Sequence, residues 1–214
     1  MKLPFSAGQF FDVLAEYNLA TSPGQVVWTV AAIAGVSALF VQRPWDRALG
    51  WLLASLWSWM AVAYHFAFFT RINPAAWWFG AAFLLEAGAL ARHARAGTLR
   101  FVRPATVAHG VGVVLIVYAL IGYPLVALNV GQAYPRVPTF GLPCPTTIFT
   151  LGCLLLARTP VPTSLFVIPV AWSLVGTVAA VKLGVVEDYG LIVAAAAVVA
   201  LTVGRSLARG PAVI

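Results

Sequence analysis

Apolar residues run along this chain in long unbroken stretches rather than in alternation with polar ones. Seven such stretches occupy roughly 25–41, 47–70, 74–92, 105–128, 145–158, 161–182 and 187–204. Most hold about 17–25 residues, enough to cross roughly 30 Å of hydrocarbon as helix. Backbone polar groups in lipid find partners only in helices or closed barrels, and a barrel strand alternates with a period of two. The pattern therefore predicts an all-α, polytopic membrane helix bundle of about seven transmembrane helices. Breakers fall between the stretches: Arg43-Pro44, Asn73-Pro74, Arg103-Pro104, Thr159-Pro160 and Gly184. Ahead of the bundle, Ser6 to Asn18 reads as a short amphipathic helix capped by Ser6. Phe10, Phe11, Leu14 and Tyr17 form its apolar stripe, with Asp12 and Glu16 on another face. Such a helix lies in the membrane interface. Ser22-Pro23-Gly24 ends it, so residues 1–24 form an interfacial segment and 25–214 the transmembrane domain.

Composition strengthens the lipid reading. The chain is 62% apolar and 9% charged, against about a half and a quarter for a soluble domain. Asp12 and Glu16 break any secretory signal pattern, so the first long apolar run is expected to stay as a helix. Two cysteines are too few for a disulfide framework. The net charge of +7 could point to nucleic acid, but its distribution points to topology. Arg43, Arg47, Arg92, Arg95, Arg100, Arg103, Arg158, Arg205 and Arg209 fall on one side of a seven-span threading. Lys2, Arg71, Arg136 and Lys182 fall on the other, with Asp12, Glu16, Glu187 and Asp188. The basic side is cytoplasmic, which puts the N-terminus outside and the C-terminus inside. Trp45, Trp51, Trp77 and Trp78 fall near span ends as interfacial anchors. The partner so implied is the bilayer, its anionic headgroups facing the arginines. A homo-oligomer or a larger membrane complex stays open.

The fifth span is unlike the rest. Pro135, Pro138, Pro143 and Pro145 forbid a continuous helix before it, while proline suits a first helical position. A helix from Pro145 to about Arg158 spans roughly 21 Å, some 9 Å short of the hydrocarbon thickness. Residues 135–144 are expected to complete the crossing as irregular backbone, which is tolerated at that depth only inside protein or beside a wet cavity. Cys144 then caps the helix, with Thr146 and Thr147 in its first turn, where free amide hydrogens favour an anion, a carbonyl or a thiolate. His65 stands six residues before Arg71, about 9 Å below the outer surface, at matching depth. An outward-facing pocket lined by Tyr64, His65, Asn73, Cys144, Thr146 and Thr147 is the expectation.

Other polar groups divide between chemistry and packing. Glu86, about twelve residues into the third span, reads as part of a proton path or as a neutral acid bonded to another helix. Asp188 reads as a helix start, where the dipole favours an acid. His93 and His109 are expected to snorkel at the cytoplasmic face, and Cys153 to be packing. The chain lacks His-Glu-x-x-His, Walker A, G-x-G-x-x-G and Gly-x-Ser-x-Gly motifs. These residues define no metal site, and any cofactor stays unknown. Three functions stay open: a small-solute or ion transporter or channel using the outward pocket, a membrane-embedded enzyme or redox or metal-handling protein using Cys144 with His65 as base, and an accessory subunit of a larger complex.

The set Trp57-Ser58-Trp59, Tyr64-His65, Phe68-Phe69, Ile72-Asn73-Pro74-Ala75 and Phe140-Gly141-Leu142-Pro143-Cys144-Pro145-Thr146-Thr147-Ile148-Phe149-Thr150 resembles a bacterial membrane family known only as a domain of unknown function. Leu3-Pro4-Phe5 and Tyr17-Asn18 extend the resemblance over nearly the whole chain. In that pattern a histidine often stands where this chain has Gln132. The resemblance implies a multi-span fold in the bacterial inner membrane and brings no activity with it.

Overall fold

A computed structural model describes residues 3–40, 46–102, 105–158 and 161–208. It is all-helical, without strands among those residues. Arg43, Pro44, Trp45, Arg103, Pro104, Thr159, Pro160, Arg209 and Lys2 lie outside the described residues, as does the side chain of Arg205.

Helix α1 (Ala7–Thr21) starts at Ser6, whose hydroxyl accepts from Gln9 N while Gln9 Oε1 accepts from Ser6 N. This reciprocal box satisfies two free amide hydrogens. Across Ser22 and Pro23 the chain turns by 79° into α2 (Gly24–Phe40). Helix α3 (Asp46–Trp59) widens into a π-helical stretch, Met60–Phe66, then a 3-10 turn, Phe69–Arg71. The wide turn lets neighbours in sequence, Tyr64 and His65, both face inward. Helix α4 (Ala76–Ala96) packs along α3. Helix α5 (Val107–Val117) passes through a second π-helical stretch, Tyr118–Gly122, into α6 (Tyr123–Asn129). Pro124 has no N–H for the carbonyl one turn earlier, and the wide turn accommodates its ring.

Helix α7 (Pro143–Leu155) stands at the centre, with α5, α8 (Ser164–Leu183) and α9 (Gly190–Ala208) against it. Every α7 residue except Cys144 is buried. An α-helix that is apolar all round needs such a casing. The casing is closest at two glycines. A Cβ on Gly112 would stand 2.7 Å from Gly152 O, and one on Gly152 would stand 2.8 Å from Gly112 O. Small residues that bring helix backbones together are the packing device of membrane bundles. From α3, Trp57 Nε1 donates to Thr150 Oγ1 at 3.0 Å, tying α3 to α7.

Three continuous helical segments are long and apolar enough to cross a membrane: Arg47–Arg71, Val107–Asn129 and Ser164–Leu183. The bent pair α1 and α2 makes a fourth if counted as one span. Seven apolar stretches in sequence thus resolve into fewer helices of spanning length among the described residues. Charged α4 and short α7 account for part of the difference.

The loops gather at two ends. At one, Arg158 N donates to Arg100 O at 2.6 Å and Phe101 bridges Ala157, with Gly97 packed under Arg47. At the other, Glu16 pairs with Arg71 at 2.7 Å and Asp12 pairs with Arg136. These pairs lay α1 across the end where α7 begins.

Candidate functional site

Helix α7 begins at Pro143, two residues before the expected start, with Leu142 as N-cap. Cys144 is therefore inside the first turn and not at the cap. At 13 residues the helix is about 20 Å long, so the expected shortness holds. Residues 138 and 140–143 are buried, so the Pro-rich chain dips inward above α7. The turn hinges on Gly141, whose φ of 95° is open to glycine.

Buried backbone must have its hydrogen bonds met, and side chains from the far N-terminus meet them. Asn18 is fully buried; its Nδ2 donates to Pro135 O at 2.7 Å and Val137 O at 2.8 Å. Its Oδ1 accepts from Thr139 Oγ1 at 2.7 Å. Trp59 Nε1 donates to Tyr17 Oη at 2.7 Å, and Tyr17 donates to Gly141 O. Gly141 N in turn donates to Thr146 Oγ1 at 3.1 Å. Thr146 is thus a support for the turn. Thr147 Oγ1 is buried without a partner and does not line the pocket.

Beneath α1 lies a cavity of about 480 Å³. Leu3, Phe5, Phe10 and Leu14 roof it, Val175 and Ala179 of α8 form one wall, and Pro143 and Cys144 sit at its base. Of the expected lining, Tyr64, Asn73 and Cys144 are brought together here. His65 is fully buried behind the wall, ringed by Tyr64, Phe69, Phe79, Phe83 and Trp172 at centroid distances of 4.6–6.0 Å. Neither ring nitrogen has a hydrogen-bond partner, so His65 does not bond the Cys144 thiol. Trp172, which touches His65, lines the cavity, and its buried Nε1 has no aligned acceptor.

Sequence reasoning also left Asp188 out of the pocket. Asp188 does not start α9. It sits in a 3-10 turn, Val186–Tyr189, between α8 and α9, and lines the cavity. Its Oδ1 accepts from Tyr123 Oη, and the Cys144 thiol lies against it. Burial pushes the Asp188 carboxyl up to about 7 against the lowering hydrogen bonds from Tyr123 and Cys144, and the neighbouring Glu187 charge adds to the rise. Glu187, also fully buried, is raised by burial as well. Gln132 Nε2 donates to Glu187 Oε2 at 3.3 Å, while Glu187 Oε1 is buried without a partner. Tyr118 Oη donates to Glu187 O at 2.7 Å. Neither acid is ion-paired among the described residues. A local rule for acids ahead of helices masked this role; the signal available was the doublet Glu187-Asp188 within an otherwise apolar stretch.

Glu86 is buried in α4 with Oε1 unpartnered and does not line this cavity. His109 does not snorkel: it is buried, and its Nδ1 accepts from Ala105 N at 3.1 Å. His93 is at the surface beside Thr98. Cys153 is fully buried in the core. No group of three metal-ligating side chains occurs among the described residues.

Two comparisons, with curated proteins and with solved structures, return no match. A third matches a family model over residues 7–211, from α1 through α9. That span takes in the α1 clamp, the Pro-rich turn and the acidic turn alike: the chain belongs to the family of unknown function DUF6064.

Proposed function

We propose that this chain is an integral membrane protein of the bacterial inner membrane that takes a small, apolar-bodied solute from the outer side through the cavity beneath α1. In this reading α2, α3, α4, α5 with α6, α7, α8 and α9 make seven crossings, with α1 in the outer interface. The arginine-rich end is cytoplasmic by the positive-inside rule.

One observation carries the reading: a cavity of about 480 Å³ at the buried start of a helix too short to span by itself. Interrupted helices mark solute sites in transporters, and pockets of this size with few polar groups suit small organic ligands. The apolar lining disfavours a bare ion, whose desolvation it would not repay. His65 sits among aromatic rings and makes no bond to Cys144, which favours the solute site over a Cys–His enzyme.

The test is thermal-shift screening of small amphiphilic solutes against the protein in nanodiscs, repeated with Ala179→Phe, which fills the cavity. Solutes that stabilise the native chain and not the filled variant support the reading. A panel that stabilises both equally, or neither, removes it. Uptake into liposomes is then expected to fall in Cys144→Ala.

A further inference from the structure

The cavity beneath α1 is apolar except at few points, and its floor holds an acid. Asp188 is 4% exposed and has no cationic partner among the described residues. The titratable and charged groups that face it come from every element packed there. Tyr123 and Tyr118 face it from α6 and the stretch before it, Cys144 from α7 and Tyr64 from the π-helical stretch after α3. Glu187 of its own turn adds a second negative group. Lys182 of α8 also lines the cavity, on an exposed stretch of the helix. Aromatic side chains supply much of the remaining wall: Tyr64, Phe69, Phe79 and Trp172. Behind that wall both His65 nitrogens are buried without partners, and the Trp172 indole lies against the Cys144 thiol.

We infer that the cavity takes a lipophilic organic cation in exchange for the proton on Asp188. A carboxylate enclosed by apolar groups is costly unless a proton or a cation neutralises it. A small inorganic cation would lose its water to walls that offer few oxygens. An organic cation keeps its charge spread among apolar groups, buries those groups against α8, and gains attraction from aromatic faces. A neutral apolar ligand would leave the acid no better matched than before. The exchange balances without any covalent bond to the ligand. The Asp188 O–H bond breaks, the proton leaves through the cavity mouth to outer water, and the cation takes its place, so the charge within the cavity is unchanged. The inference rests on the cavity being a ligand site, as proposed above.

The experiment uses the full chain in nanodiscs, with empty nanodiscs as the blank. Radiolabelled tetraphenylphosphonium is the cation; tetraphenylborate is its anionic counterpart of the same shape. Phosphonium affinity is expected to rise about tenfold per pH unit while Asp188 is protonated and to level off above its titration, as one-for-one exchange requires. Binding in weak buffer releases one proton. Asp188→Asn weakens binding at least tenfold and removes the pH dependence, while Asp188→Glu retains it. Should the asparagine variant fail to fold, proton release by the native chain and the glutamate variant decide the matter. A pH-independent affinity, or borate binding as tight as phosphonium, overturns the inference. Neutral triphenylmethane separates the two readings. If it binds the native chain, is lost in Ala179→Phe, and phosphonium does not bind, the ligand class is wrong and the cavity stands. If neither probe binds, both readings fall.

Discussion

Four acids lie at the end of the bundle where α7 begins, and they fall into two contrasting pairs. Asp12 and Glu16 on α1 are more than half exposed, and each meets an arginine, Arg136 and Arg71. Glu187 and Asp188, a few residues beyond α8, are buried and meet none among the described residues. Energetics would assign the partners the other way round. Exposed pairs contribute about 0–1 kcal/mol, whereas an unpaired buried charge is severely unfavourable. The exposed pairs orient α1 at little benefit to stability; the buried acids persist although they oppose it. Groups that cost stability and have no packing role mark function more reliably than well-paired ones.

The contrast breaks most visibly through pH. Asp188 has its carboxyl raised from 3.8 to about 7 in the folded chain. Its protonated form is thus favoured by folding, so that contribution is fully present below about 3.8 and is lost as pH rises through about 7. At ~1.4 kcal/mol per pH unit the loss is on the order of 4 kcal/mol. Thermal unfolding from pH 4 to pH 8 is expected to show this fall, and Asp188→Asn to reduce it, leaving the smaller share of Glu187, which burial also raises.

A somewhat smaller effect is expected at the clamp. Asn18→Ala strips the donors from Pro135 O and Val137 O. An orphaned group costs about 1–3 kcal/mol when buried, and both carbonyls are only part-buried, so a loss of roughly 1–4 kcal/mol should appear in denaturant titration. Protease nicking near Tyr134 should rise with it. Asn18→Asp, which keeps the acceptor but not the donors, should do no better.

Removing the donor to the buried acid comes next. Tyr123→Phe should lower stability by about 1–3 kcal/mol above pH 7, where the carboxylate most needs that hydrogen bond. It should also move the midpoint of the pH dependence upward. At the small end, Arg71→Gln should change stability by less than about 1 kcal/mol, and added salt should erase even that. A large, salt-resistant loss there would mean that the exposed pairs hold α1 down and that the contrast is misdrawn.

What the sequence disclosed followed from rules with short reach. Proline chemistry placed the start of α7 within two residues, and helix rise made it short. The capping residue Ser6 and the turn at Ser22-Pro23 were equally plain. Long-range geometry was not legible. Asn18 reads as an ordinary polar residue near a helix end until its partners, 117 and 119 residues away, are known. His65 and Cys144 were matched by depth, but depth carries no angle, and the Trp172 ring packs against His65 at the cavity wall. Asp188 was hidden because a sound local rule already explained it. The Gly112–Gly152 contact left no trace beyond two glycines in apolar runs.

Infrared difference spectroscopy of the carboxyl stretch tests the central claim, that an unpaired acid is kept at the cavity floor. The spectrum of the native chain minus that of Asp188→Asn should contain a protonated carboxyl band at pH 6 that disappears by pH 8. A carboxylate signal already complete at pH 5 would mean that water or a cation reaches Asp188 freely, contradicting the account.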